Sequence, residues 1–414
     1  MLVAYVFVFM VPVLYGGSLA FSKLTGWNFY LVLWLTVIII GLYSVKGGLA
    51  SVVWADALQC LMLVGGGVIL FFVSLDKIPG GWAAMTQAEP ERFHLYRPPS
   101  DQIAPLLGLV FASFGVFLFY QAANQVMIQR VLGARSTWDG IMGIIFAGFI
   151  NRLRPLVTSF LGLIVYYWIH EMKMAPPLEN RDMAFPFALE HFAPSWGLRG
   201  VILAGFTAAV MSTIGALSNS TATIFSLDVY KKLIDPNVSD RKIVAIGRIA
   251  AMASLAIAAF VCPVVGNLGG IFLYFQKGVT FLATPFISIL LLGIFWRRTN
   301  SHGAFFAVTV GTLIAIGLGF GGPILGRNVE ALSFLDMNWL YLGFIAQVII
   351  MVGIVIVSLL TPPPSEAQSG PYQWRLSLLT AYDDGGIKRP WYKSLLLWFI
   401  LLYGTIIVIY WYFW

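Results

Sequence analysis

Residues 338–360, NWLYLGFIAQVIIMVGIVIVSLL, pass without one charged side chain. Hydrocarbon about 30 Å thick is crossed by about 20 apolar residues in a helix. Inside it every backbone N–H and C=O must find its partner within the segment or in a closed barrel. A run of this kind therefore dictates a membrane-spanning helix, and similar runs recur along the chain. The expected spans are about eleven, at 2–22, 28–45, 51–75, 103–128, 139–170, 198–228, 242–265, 268–294, 303–319, 338–360 and 392–413. Over 414 residues the chain is 59% hydrophobic and 10% charged, with a mean hydropathy of +0.85. Soluble domains carry roughly a quarter charged residues. An outer-membrane barrel needs alternation, which these runs lack.

The net charge of +7 does not mark a nucleic-acid binder, because Lys and Arg are sorted by loop. With residue 1 in the cytoplasm, inner loops hold thirteen basic residues, among them Lys231, Lys232, Arg297 and Arg298, against eight on the other side. Positive charge favours the inside, so the N-terminus is expected in the cytoplasm and the C-terminus outside. Met1 opens directly on an apolar helix, and no signal peptide is expected. Cys60 and Cys262 lie within spans, so no disulfide framework is expected.

Three loops are long. Residues 76–102 and 171–197, rich in proline and aromatics, read as packed outer lids. Residues 361–391 read as a cytoplasmic linker before the last helix. The chain contains no P-loop, HExxH or CxxC, and His94, His170, His191 and His302 are scattered at loops and helix ends. An enzyme would need an acid/base or metal cluster in one cavity, and none is legible.

Ionisable groups within spans are costly and are candidates for function. Here they are Asp56, Arg152, Arg154, Arg248 and Lys277. The arginines can snorkel or pair. Lys277 stands deeper, in FLYFQKGVTFLATP, with Gly278 after it and Pro285 beyond. Between 198 and 228, Ala209, Ser212, Thr213 and Ala216 share one helix face. Two readings fit that face. Hydroxyls beside carbonyls offer neutral oxygens to a small hard cation. Equally, Ser and Thr satisfy themselves on the carbonyl four residues back, and small residues serve helix packing. The later Ser218, Asn219, Ser220, Thr221 and Thr223 are expected near the cytoplasmic interface.

Taken whole, GLRGVILAGFTAAVMSTIGALSNSTATIFSLDVYKK resembles the eighth core helix of the solute:sodium symporter family, its sodium/glucose cotransporter branch in particular. YSVKGGLASVVWADALQ, FYQAANQVMIQRVLGARS, IFLYFQKGVTFLATP and GIFWRRTNSHGA resemble further family segments in the same order. The resemblance covers nearly all of residues 1–360. It implies an all-α polytopic protein with a core of two five-helix inverted repeats. Residues 1–75 match a remnant of the first repeat, 103–294 the second repeat, and 303–414 the peripheral helices with the linker. The family's first two core helices have no counterpart in these residues. The chain is therefore expected to be either a truncated member or a degenerate relative, and not to transport alone.

The resemblance also implies roles. Ala209, Ser212 and Thr213 fall on the family's sodium site, and Asp56 on an acidic residue of the cation exit path. Tyr120 matches the aromatic closing the solute site from the cytoplasm, Phe272 an outer-gate aromatic, and Gln276 a sugar-hydroxyl contact. Phe117 stands where sugar carriers place Asn or Thr, and Asn151 where they place Lys. The implied activity is sodium-driven symport of a small polar solute, sugar first, then another polyol or organic acid. The implied partners are sodium, that solute and the bilayer. A non-transporting sensor or scaffold is the alternative.

Overall fold

The computed structural model describes residues 1–101, 103–194, 197–267, 271–375 and 390–414; the side chains of 43–53, 55, 266 and 267 also lie outside the description. Most of the expected linker, at 376–389, therefore lies outside the described residues. In chain order the helices are α1 (Ala4–Thr25), α2 (Phe29–Asp76), α3 (Gly81–Ala88), α4 (Leu106–Ser113) and α5 (Val116–Ala122). There follow α6 (Gln125–Leu132), α7 (Thr137–Asn151), α8 (Arg154–Val157), α9 (Ser159–His170) and α10 (Ala184–His191). The last six are α11 (Leu198–Ile234), α12 (Asp240–Val261), α13 (Ile271–Phe295), α14 (Ser301–Asn328), α15 (Trp339–Leu360) and α16 (Leu395–Tyr412). No strand occurs among the described residues.

Asparagine opens several of these helices. The Oδ1 atoms of Asn28, Asn124, Asn300 and Asn338 accept from the N–H of Tyr30, Val126, Gly303 and Leu340 at 2.9, 3.1, 3.0 and 2.9 Å. Each satisfies one of the four N–H groups a helix start leaves open. Helix α1 stops at Gly26, whose φ of 73° suits glycine.

Among the described residues, eight helices are long and apolar enough to span a membrane, or ten if each bent pair is one span. With the shorter apolar Phe29–Leu42 these account for the eleven expected segments. Three details differ from expectation. The segments expected at 28–45 and 51–75 are joined by helical backbone, Phe29–Asp76 forming one element of 48 residues in which Phe29–Leu42 and Asp56–Asp76 are the two apolar segments. Gly47 and Gly48 only weaken a helix, by about 1 kcal/mol each, and no proline stands between the segments to end it. Conversely, two expected spans are broken. Leu106–Ala122 and Gln125–Leu132 meet at 49°, and Thr137–Asn151 and Arg154–His170 at 45°.

The helices pack as two compact units, Met1–Phe93 with Gly148–Phe275, and His94–Ala147 with Gln276–Trp414. In the first, α11 lies along α2, with α1 and α12 beside them. Glycines set the approach: a Cβ on Gly205 would meet the Leu63 nitrogen at 3.2 Å, and one on Gly17 would meet Val210 Cγ1 at 2.7 Å. The expected outer lids are packed. Met85 of α3 and Ala188 and Leu189 of α10 join Leu70, Phe71, Ile164 and Ile202 in one buried apolar cluster. Trp82 meets Phe93 and Phe160 edge-on, at 5.0 and 4.9 Å between ring centres.

In the second unit, α15 packs on α4 and α14. Its C-terminal carbonyls are held by the segment that precedes α14. Arg298 donates to the carbonyls of Leu359 and Thr361 at 3.2 and 3.1 Å, and Asn300 Nδ2 to Thr361 Oγ1 at 2.7 Å. The conspicuous WRRTN stretch thus closes a helix end.

Candidate functional site

The polar face of α11 is regular helix. Ser212 Oγ donates to the carbonyl of Ala209 at 3.1 Å, and Thr213 Oγ1 donates to the same oxygen at 2.9 Å. Ser212 is half-buried and Thr213 exposed. Back-bonding therefore satisfies both protons, as the packing reading requires. It leaves the lone pairs of both hydroxyls available, so two hydroxyl oxygens and one carbonyl oxygen lie within a single helical turn. Neutral oxygens of this kind suit a hard cation and not a thiophilic metal. No group of three or more His, Cys, Asp or Glu that could hold a metal occurs among the described residues.

The neighbouring helix adds a carboxylate at the same level. Helices α2 and α11 run antiparallel. Gly66 faces Ile202, where a Cβ would meet Cγ1 at 3.1 Å, and Gly205 faces Met62 and Leu63. Extending that register by nearly two turns, roughly 10 Å, brings Asp56 level with Ser212. Asp56 itself is half-buried.

Ser218, Ser220 and Thr221 are buried. Ser218 Oγ reaches the Ala251 carbonyl of α12 at 3.4 Å, and Thr221 donates to Leu217 at 2.9 Å. These groups tie α11 to α12 and close on themselves.

On another side of α11, Phe206, Val210 and Met211 line a cavity of about 140 Å³ with Gly17 and Phe21 of α1 and Leu35 and Ile39 of α2. Its polar contributor on α11, Thr207, donates to the Leu203 carbonyl at 2.8 Å. Apart from Thr207 and Thr36 the lining is apolar, which does not suit an ion.

In the second unit, Phe117 and Tyr120 stand on α5, the short helix between two interruptions, at Phe114–Gly115 and Ala123–Asn124. A freed carbonyl at the first interruption needs a donor. Gln347 of α15, which is 3% exposed, supplies it: Nε2 donates to the Phe114 carbonyl at 2.8 Å. Gly115 is required beside it, since a Cβ there would lie 2.8 Å from Gln347 Oε1. Sequence reasoning passed over Gln347, although it is the lone amide in an apolar span. Phe117 is partly exposed, and the Tyr120 hydroxyl is shielded from solvent.

Asn151 closes α7 at the second bend, exposed, in the first unit. Arg152 folds back, its Nε donating to the Gly148 carbonyl at 3.2 Å. Phe272, exposed, belongs to the first unit, and Gln276, half-buried, to the second. Arg248 is exposed on α12. The structure thus groups Ala209, Ser212 and Thr213 on one turn and gathers Phe117 with Tyr120 between helix breaks, while Asp56 is placed at the level of Ser212 by extension of the α2–α11 register alone.

The model of the sodium:solute symporter family matches residues 1–311. The sodium/glucose cotransporter of Vibrio parahaemolyticus is 34% identical over 80% of this chain and 65% of its own length. The sodium/mannose cotransporter of Bos taurus is 30% identical over 87% and 66%. The sodium/myo-inositol cotransporter of Mus musculus is 28% identical over 89% and 57%. The chain thus spans less than two thirds of the length of these relatives. Among solved structures, the substrate-bound outward-open state of a Na+-coupled sialic acid symporter superposes with a TM-score of 0.69 at 21% identity, covering 86% of this chain and 72% of that one.

Proposed function

Because this chain belongs to the sodium:solute symporter family, we propose that it carries sodium-coupled symport of a small polar solute across a cell membrane, by alternating access. The reading rests on one observation: the Ser212 and Thr213 hydroxyls share the Ala209 carbonyl, on a helix whose register brings Asp56 level with them. Sodium binds there through neutral oxygens and leaves past the Asp56 carboxylate. A cation that binds one conformer stabilises it by RT ln(1 + [Na+]/Kd), about 1.4 kcal/mol at ten times Kd. That differential is what drives the solute step.

The family resemblance supports a solute-contacting role for Phe117, Tyr120 and Gln276 of the second unit and for Asn151 of the first, with Tyr120 acting as the inner gate and Phe272 as an outer one. Relatives named for glucose, mannose, myo-inositol and sialic acid support a polyhydroxylated solute, sugar first. No bond in the solute is made or broken, so the protein is not an enzyme. The excess of inner basic residues supports an N-terminus in the cytoplasm and a C-terminus outside.

The test is equilibrium binding of labelled sugars to the chain in lipid nanodiscs, with sodium or with choline. Saturable binding that needs sodium supports the reading, and binding indifferent to sodium sinks it.

A further inference from the structure

One polar group in a span has no part in the reading above. Lys277 is the lone charged residue of α13 and is half-buried, less than two turns from the helix start. No ion pair or hydrogen bond engages its side chain among the described residues. The span around it is apolar. An ionisable residue kept at such a place marks a ligand or a pathway.

A second group on the same face lacks a partner too. Thr280, three residues on, is 5% exposed, and its Oγ1 is buried without a hydrogen bond among the described residues. Its methyl is wedged against α15, where a Cβ on Gly343 would lie 2.5 Å from Thr280 Cγ2. The next hydroxyls along the helix are satisfied: Thr284 and Ser288 donate to Thr280 and Thr284 carbonyls at 2.6 and 2.8 Å. Thr280 lies one turn beyond both Gln276 and Lys277, so the three share a contiguous patch. An ammonium, a hydroxyl and an amide together supply donors and one fixed positive charge. Oxygens of a carboxylate satisfy all three at once.

We infer that Gln276, Lys277 and Thr280 of α13 form the acid-recognising corner of the solute site, and that the solute carries a carboxylate beside its hydroxyls. The inference rests on the symporter reading and narrows its substrate from sugars to sugar acids and similar hydroxy acids.

The experiment uses the full chain in nanodiscs and matched pairs of competitors: D-gluconate with D-glucose, D-galacturonate with D-galactose, and lactate with glycerol. Expected is sodium-stimulated binding that prefers the acid of at least one pair by about tenfold or more, the equivalent of one hydrogen bond to a charged group. Lys277→Gln should then erase that preference, Lys277→Arg should keep most of it, and Thr280→Val should weaken it a few-fold. Sodium-stimulated binding in which neutral members match or beat every acid overturns the inference and leaves symport standing. The same holds for an acid preference that survives Lys277→Gln. Binding that no member shows, or that ignores sodium, overturns both.

Discussion

Thr213 Oγ1 lies 2.9 Å from the carbonyl oxygen of Ala209 and donates its proton there, which orients the hydroxyl's lone pairs away from its own helix. Thr213→Val removes that oxygen and keeps the shape. If the oxygen only closes on itself, sodium affinity is unchanged. As a cation ligand, its loss should raise the sodium concentration for half-maximal solute binding about tenfold, some 1.4 kcal/mol. Ser212→Ala should do likewise, and a sodium titration of solute binding checks both.

Gly205 is the contact on which the level of that face depends. A Cβ there would stand 3.2 Å from the Leu63 nitrogen and 3.3 Å from the Met62 carbonyl carbon, atoms of a helix backbone that cannot swing aside. Gly205→Ala should cost about 1–3 kcal/mol, the range for overpacking. It should also shift α11 along α2, moving Ser212 off the level of Asp56. A lower melting temperature together with weaker sodium dependence is the expected pair of results. Gly200, where an added Cβ would meet nothing within 4 Å, is the neutral control when changed to Ala.

How much of this was legible depended on whether the cause was local. Span positions follow from twenty-residue apolarity, a property of each segment alone, and the eleven segments recur. The lids were legible as aromatic and proline-rich stretches. The break at Phe114–Gly115 was not, because nothing near it forbids helix. It persists because Gln347, 233 positions away, satisfies the carbonyl it frees. The two apolar segments of α2 were legible, whereas the helical backbone that joins them was not, since glycine permits a break without compelling one. For the sodium face, residue types and spacing were legible, whereas the shared use of one carbonyl emerges only in the folded helix.

Gln347 provides its own test. Gln347→Leu leaves the Phe114 carbonyl buried without a donor, which costs about 1–3 kcal/mol. The expected result is faster amide exchange confined to residues around 111–119, with α15 itself protected as before. Gly115→Ala should mimic it by pushing the amide away. Exchange unchanged in both variants would show that the interruption does not depend on this bond.

Asp101 gives the pH dependence. Its Oδ1 accepts from the N–H of Ala104 at 2.8 Å and of Ile103 at 2.9 Å, at the head of α4. The bond from Ala104 is foremost in holding the Asp101 carboxyl below its usual value of 3.8; burial opposes it, and the Ile103 bond and the Arg97 charge assist. A folded pKa below the unfolded one means that the carboxylate's contribution is fully present above 3.8. It fades as pH falls through the lower folded value, where a protonated oxygen accepts less well. The turn at 101–104 should therefore keep its amide protection from neutral pH down to that point and lose it below. Asp101→Asn keeps a neutral acceptor oxygen and should flatten the acid limb, so that protection at Ile103 and Ala104 no longer tracks pH beyond the intrinsic exchange rate. An acid limb as steep in Asp101→Asn as in the parent would assign the loss to another group.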